Sequence, residues 1–299
     1  FTGSTADNWG FTAAPDPSSN LFAGGIVFAA GYPVTNGAYD GSYNVGSETG
    51  FNIDIGITKF TATGNTLLYS TYLGGTRNET PNSIICTPSG ELYVFGVTSS
   101  PDFPMSATSY DFSFNGGPTL TENSLTFSGT DIYIAKLNSS GTALLGSTYV
   151  GGTGTDGLNS SNLHYNYGDQ FRGEIILDGA GNVYVSSTTQ SMDFPVVMGS
   201  QGALNGSQDA VVFKMNSNLT TMIWSTYFGG VGNETGNSIQ ISSTGDCYVA
   251  GGTTSNNLGI VSGNDLTFNG GLADGYLVRF NGANGAILNG TYVGEYPPS

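Results

Sequence analysis

Two short phrases recur four times along this chain, in the same order and in step with each other. The first runs from an aspartate to a basic residue five positions on: Asp54-Ile-Gly-Ile-Thr-Lys59, Asp131-Ile-Tyr-Ile-Ala-Lys136, Asp209-Ala-Val-Val-Phe-Lys214 and Asp274-Gly-Tyr-Leu-Val-Arg279. The second is Ser70-Thr-Tyr-Leu-Gly-Gly75, Ser147-Thr-Tyr-Val-Gly-Gly152, Ser225-Thr-Tyr-Phe-Gly-Gly230 and the weaker Gly290-Thr-Tyr-Val-Gly-Glu295. A sequence that repeats at a regular interval is one supersecondary unit built several times. The repeat therefore constrains the fold more than any other feature. It also consumes four of the six basic residues, which assigns Asp54, Lys59, Asp131, Lys136, Asp209, Lys214, Asp274 and Arg279 to the scaffold.

Each unit reads as four strands. In the second unit these are 82–87, 91–97, 131–137 and 143–150, with the tight turns Pro88-Ser-Gly90 and Ser139-Ser-Gly141 closing two hairpins. The third unit gives 173–178, 182–188, 209–215 and 222–228, and the fourth 237–242, 246–252, 274–280 and 286–293. The first matches more loosely, at 9–14, 21–28, 54–60 and 67–73. With 47 glycines, 12% aromatic and only 9% charged residues, the composition is that of a β protein. Four antiparallel strands per unit and no helical period describe the blade of a β-propeller. The expectation is an all-β chain of four blades, at 1–75, 76–152, 153–230 and 231–295. A larger, six- to eight-bladed ring is expected over a closed four-bladed one, because Phe1 carries neither an initiator Met nor a leader and the chain reads as an internal piece.

Several phrases in order resemble a known family: Leu-Tyr-Ser-Thr-Tyr-Leu-Gly-Gly (68–75), Gly-Asn-Val-Tyr-Val (181–185), Asp-Phe-Pro (102–104 and 193–195) and Asp-Ala-Val-Val-Phe-Lys (209–214). They are similar to the SBBP β-propeller repeat, and the similarity runs over essentially the whole chain. The resemblance implies a large secreted or cell-surface protein of the kind common in Bacteroidetes, exported by the type IX system and linked there to gliding. It implies no catalytic residues, because the repeat defines a scaffold. Gly31-Tyr-Pro33 and Asn257-Leu-Gly259 stand where Asp-Phe-Pro is expected, so the first and fourth units are expected to shape those loops differently.

A net charge of −16 with a pI near 4.1 excludes ordinary nucleic-acid binding, which needs clustered Lys and Arg. No apolar run reaches the ~20 residues of a membrane-spanning helix, so no direct membrane insertion is expected. Cys86 and Cys247 fall in different units and read as small buried hydrophobes rather than a disulfide. The single histidine, His164, lies in an insertion at 158–169 and reads as an exposed loop residue; no Gly-x-Ser-x-Gly elbow or P-loop is present.

In an antiparallel blade the first-to-second and third-to-fourth connections share one end, and here they are short. The other end carries the long loops 29–53, 98–130, 189–208 and 253–273, and loops that vary on a constant scaffold are where binding surfaces are made. Tyr39, Tyr43, Tyr110, Asp111 and Phe112, outside the repeated phrases, are the candidate ligand-binding residues. Asp156, Asp169 and Glu174, flanking the insertion, are the candidate calcium ligands, calcium being a hard ion that takes oxygen donors; no other cofactor is expected. The Asp…Lys phrase is expected to serve hydrogen bonding between blades, since a five-residue offset puts the two side chains on opposite faces of one strand.

The main functional expectation is a non-catalytic, extracellular or surface-exposed scaffold and adhesion module, not an enzyme. It would recognise a protein or glycan through the long-loop face, alongside further domains of the same polypeptide. The alternatives are a polysaccharide-active enzyme using acidic loop residues, or a structural subunit of an envelope or secretion assembly.

Overall fold

The computed structural model describes residues 4–294 other than 45, 47, 123, 160 and 167. The expected outer limits of the first and last blades, Phe1 and Glu295, lie outside the described residues. Every repeat forms one four-stranded antiparallel sheet. Sheet one comprises β1 (Asn8–Pro15), β2 (Leu21–Val27), β3 (Asp54–Phe60) and β4 (Leu67–Leu73). Sheet two comprises β5 (Glu79–Cys86) and β6 (Leu92–Thr98), then β9 and β10 after a small separate hairpin, β7 (Thr119–Glu122) and β8 (Leu125–Ser128). β9 is Asp131–Leu137 and β10 is Leu144–Val150. Sheet three is β11 (Glu174–Leu177), β12 (Val183–Thr189), β13 (Asp209–Met215) and β14 (Met222–Phe228). Sheet four is β15 (Glu234–Ile241), β16 (Cys247–Thr253), β17 (Asp274–Phe280) and β18 (Ile287–Val293). The chain is all-β, and its sheets have the up-and-down order of propeller blades.

Two compact units result, one of Phe1–Val150 with Asn218–Thr220 and one of Gly151–Ser217 with Thr221–Ser299. In the first, β5 packs across the face of β1, β2 and β3; in the second, β15 packs across β11, β12 and β13. Alternation places Phe22, Ile55, Ile57, Tyr69, Ile84, Val94 and Tyr133 in the first core, and Tyr184, Val212, Trp224, Ile239, Val249 and Val278 in the second. Each such side chain taken fully out of water contributes roughly 1.5–3 kcal/mol. Both cysteines are free thiols.

The repeated aspartate and the repeated base do separate work at opposite ends of the third strand. Each aspartate accepts the backbone N–H of an asparagine in its own long loop: Asn44 to Asp54 at 2.6 Å, Asn115 to Asp131 at 2.8 Å, Asn205 to Asp209 at 3.0 Å and Asn269 to Asp274 at 2.7 Å. Each base reaches an acid beside the first hairpin turn of its own sheet: Lys59–Asp16 at 2.9 Å, Lys136–Glu91 at 2.8 Å, Lys214–Asp178 at 3.2 Å and Arg279–Asp246 at 2.5 Å. On the way it crosses an aromatic ring of the second strand, Phe22, Tyr93, Tyr184 or Tyr248. The expectation of inter-blade bonding is thus corrected: among the described residues only Lys214 of the four also bonds to a neighbouring sheet, at the Gly282 carbonyl, 3.3 Å away. The physical reason lies in the register. The partner acid sits at the end of the adjacent strand, level with the base, while the repeat's own aspartate is a full strand length away.

A second expectation also changes. In the Asp-Phe-Pro loops the Phe103 and Phe194 N–H groups donate to the hydroxyls of Tyr149 and Tyr227, both at 3.0 Å. Tyr32 and Leu258, in the divergent loops of sheets one and four, make the same bond to Tyr72 (2.9 Å) and Tyr292 (3.1 Å). The second phrase's tyrosine fixes the loop through a main-chain donor, so the loop's side chains are free to vary.

Candidate functional site

The five aromatic and acidic candidates of the long loops are mostly structural. The Tyr43 hydroxyl donates to the Phe28 and Asn52 carbonyls at 3.2 and 2.8 Å and its ring packs on Tyr72; burial pushes the phenol up to about 12. Tyr39 is half-buried against the first core and bonds through its N–H to the Gly141 carbonyl at 2.8 Å. The Tyr110 N–H meets the Leu219 carbonyl at 2.9 Å, and the Asp111 carboxylate caps the Ser113 N–H at 2.7 Å. Phe112 is the one of the five that is open to solvent. They lie in two different loops, and Tyr39 and Tyr110 each bond to the last hairpin turn of the following sheet.

The three candidate calcium ligands are not brought together. Asp156 is fully buried and accepts from Thr189, from Ser191 Oγ at 2.7 Å and from the Gly152 N–H at 2.8 Å; burial raises it to about 7. Glu174 accepts from Ser238 Oγ at 2.6 Å and the Ile239 N–H at 2.7 Å, tying β11 to β15. Asp169 begins a one-turn 3-10 helix, Asp169–Phe171, and pairs with Arg172. Among the described residues no group of three or more His, Cys, Asp or Glu side chains gathers as a metal site.

A different feature marks a site. Counting along the second and third strands, one cross-strand pair near the long-loop end of each sheet is Ile26 with Ile55, Val97 with Ile132, Thr188 with Ala210, and Gly252 with Gly275. Sheet four alone has no side chain at either position. The missing groups open a pocket of about 410 Å³, lined among others by Tyr165, Asn166, Asp169, Arg172, Asn237 and Asp274. The insertion supplies one wall, with Leu163 Cδ2 3.6 Å from where a Cβ on Gly252 would stand. His164 is exposed beside it, as the sequence suggested. The register that pairs two separated glycines is invisible in single phrases, which is why the sequence pointed to the insertion but not to the floor it covers.

The pocket's charged groups are built, not incidental. Burial acts to raise Asp169, but the N–H groups of Asn166 (2.6 Å) and Tyr165 (3.0 Å) and the Arg172 guanidinium (3.1 Å) outweigh it. They hold the carboxyl below its ordinary range. Asp274, the repeat's aspartate, is 8% exposed where its three counterparts are fully buried. Tyr165 stands 58% exposed at the rim. Two carboxylates, amide side chains and an exposed aromatic over a bare backbone floor suit a hydroxyl-rich ring that bonds at its edge and stacks on its face.

No protein-family model and no curated protein matches the sequence. Among solved structures the chain is similar to a Hadza microbial sialidase (9% identity, 96% of this chain and 46% of that one, TM-score 0.48). It is also similar to an ulvan lyase of a new polysaccharide lyase family (13% identity, 96% and 57%, TM-score 0.42) and to the Dos1 propeller (10% identity, 99% and 64%, TM-score 0.40). The chain spans about half the length of the first of these. Two of the three are enzymes, and on that finding the expectation of a non-catalytic scaffold and recognition module, and of no enzyme, is withdrawn.

Proposed function

We propose that this chain is a glycan-active enzyme whose site is the sheet-four pocket. The observation that carries the reading is the Gly252–Gly275 pair, the place where the repeat gives up two side chains in a pocket lined by Asp274 and by an inserted segment that brings Asp169. Cleavage of a glycosidic bond needs one group to take or hold charge and another to move a proton. Asp169, held ionised by two backbone donors and a guanidinium, suits the base or charge-stabilising role. Asp274 supplies the second carboxyl. The acidic loop residues Asp102 and Asp111 do not enter: Asp102 Oδ1 accepts the Thr76 N–H at 3.0 Å and closes a turn between sheets.

The test is reducing-end release from a panel of polysaccharides by the purified chain, repeated with Asp169→Asn and Asp274→Asn after circular dichroism has checked their folding. Turnover falling at least about 10²-fold in each variant is expected. Turnover that survives both, or none on any polysaccharide, overturns the reading.

The same proposal takes the repeat as SBBP-like, the protein as secreted or surface-exposed, and the blades as part of a larger propeller. The phrases at 68–75, 102–104, 181–185, 193–195 and 209–214 support the first, and the acidic, lysine-poor composition supports the second. Leu277 supports the third: it is 40% exposed, whereas its counterparts Ile57, Ile134 and Val212 are fully buried, so sheet four lacks the cover its repeat was built for. Protection of β17 and β18 from hydrogen exchange in a longer polypeptide, relative to residues 1–299 alone, is the expected result.

A further inference from the structure

Six basic residues serve a chain of net charge −16, and their placement bears on what the pocket takes. Lys59, Lys136, Lys214 and Arg279 are committed to acids within their sheets, and Arg77 donates to the Ser99 and Ser128 carbonyls at 3.3 and 3.4 Å. Arg172 differs. Its side chain is 55% exposed, the most open in any of the ion pairs. Its Nε and Nη2 both approach Asp169 Oδ1 at 3.1 Å, which leaves the other guanidinium edge outside that pair on a residue that lines the pocket. Asn237 and Asn166 stand in the same lining with amide groups able to bond the flanks of a bound anion.

Resting on the glycan-active reading above, we infer that the pocket selects an acidic sugar, one bearing a carboxylate or sulfate that docks on the free edge of Arg172. A planar guanidinium meets such an anion through two parallel hydrogen bonds, a geometry that a lysine cannot reproduce. The protein's overall negative charge does not forbid this. At physiological ionic strength, fields from exposed carboxylates fade over about 8 Å, while the Arg172 contact is made at hydrogen-bond distance. Arg172 is the more open of the two arginines paired in this way: Arg279 also meets its acid, Asp246, through Nε and Nη2, but its side chain is 32% exposed against 55%. Gly251, Gly252 and Gly275 leave the floor flat for the ring that carries the anion, and Tyr165 offers a face at the rim.

Calorimetric binding distinguishes this from the parent reading. The probes are an oligogalacturonate, a sulfated galactan oligosaccharide, and neutral counterparts of equal length, carboxyl-reduced or desulfated. Either acidic probe is expected to bind at least about tenfold more tightly than its neutral counterpart, and which one does identifies the anion. Arg172→Gln should erase the preference, so that acidic and neutral probes bind alike, whatever the loss of the Asp169 ion pair does to both; Arg172→Lys should keep part of it. A purely structural role for Arg172 would weaken both probes alike and leave the ratio intact. Equal binding of acidic and neutral probes, no binding of the acidic ones, or a preference that survives Arg172→Gln overturns the inference. Acid-specific binding without turnover of any polysaccharide would count against the enzyme and not against the acidic-sugar site. Turnover confined to neutral glycans would do the reverse.

Discussion

Asp54, at the start of β3, and Glu79, at the start of β5, are fully buried carboxyls that face each other beneath Gly74. A Cβ on that glycine would stand 2.6 Å from Asp54 Oδ1 and 2.8 Å from Glu79 Oε2, and neither oxygen has a donor from the protein. Two carboxylates so placed cannot both ionise cheaply. Burial raises Asp54 to about 7, helped by the nearby Asp40 charge, and burial and Asp54 raise Glu79 well above its ordinary value. One shared proton resolves both problems.

A pH dependence follows. In the unfolded chain an aspartate loses its proton near pH 4, whereas the folded pair keeps one to about pH 7. Between these values the folded state binds more protons, so stability falls as pH rises, by at most about 1.4 kcal/mol per pH unit for one proton. Thermal melts from pH 5 to 8 should show a declining Tm. Asp54→Asn, whose side-chain oxygen can still accept from Asn44, should flatten the decline. Asp156, also raised to about 7, keeps it from vanishing. A wild-type Tm that rises over this range would refute the shared proton.

Lys59 and Asp16 show what the repeated base does. Their side chains are 9% and 6% exposed, so Lys59→Met leaves a carboxylate with little water and no cation. A loss of roughly 3 kcal/mol is expected, seen as a drop of several degrees in Tm. Adding Asp16→Leu to Lys59→Met should recover part of it, because the stranded charge is gone. A double variant no more stable than the single would mean that Lys59 acts by packing on Phe22 alone.

These two relationships show how far the sequence could be read. The third strand of every sheet was legible to the residue, since an aspartate and a base bracket it and a bulge in the third-to-fourth pairing follows the base. The partners were not, because Asp16, Glu91, Asp178 and Asp246 come close only through the register of the neighbouring strand. The β7–β8 hairpin was hidden inside a long loop because each of its strands, Thr119–Glu122 and Leu125–Ser128, is only four residues long. Phe103 and Phe194, inside the repeated Asp-Phe-Pro phrase, are buried core residues, while Tyr39 and Tyr43 looked free only because they fall outside the repeat. The site itself is a break in the repeat, and a break is visible only once the copies have been aligned strand by strand.

Gly285 lies directly against Trp224 in the second core. Gly285 has a φ of +70°, and an added Cβ would lie 2.6 Å from the indole ring, which is fully buried and donates to the Gly282 carbonyl at 3.0 Å. Gly285→Ala therefore carries both backbone strain and overpacking, each worth about 1–3 kcal/mol. The expected result is a lower Tm with blue-to-red movement of tryptophan emission as water reaches the ring. An alanine variant as stable as the wild type would show that the turn adjusts without disturbing Trp224.

Gly252→Val tests the pocket by restoring what the other sheets have. The φ of Gly252 is not in the left-handed region, and its added Cβ would meet Thr235 Oγ1 at 3.4 Å and Leu163 Cδ2 at 3.6 Å, ordinary contact distances. The valine should fold well, and replacing a strand glycine should stabilise by about 0.5–1 kcal/mol. Its methyl groups would occupy the floor on which a ring must lie, so turnover and oligosaccharide binding should fall by more than tenfold while Tm holds or rises. Gly252→Ala, with one methyl, should fall between. Loss of stability together with activity would make the glycine pair a packing necessity. Stability kept and activity lost is the result that identifies Gly252 and Gly275 as the opening of a functional site.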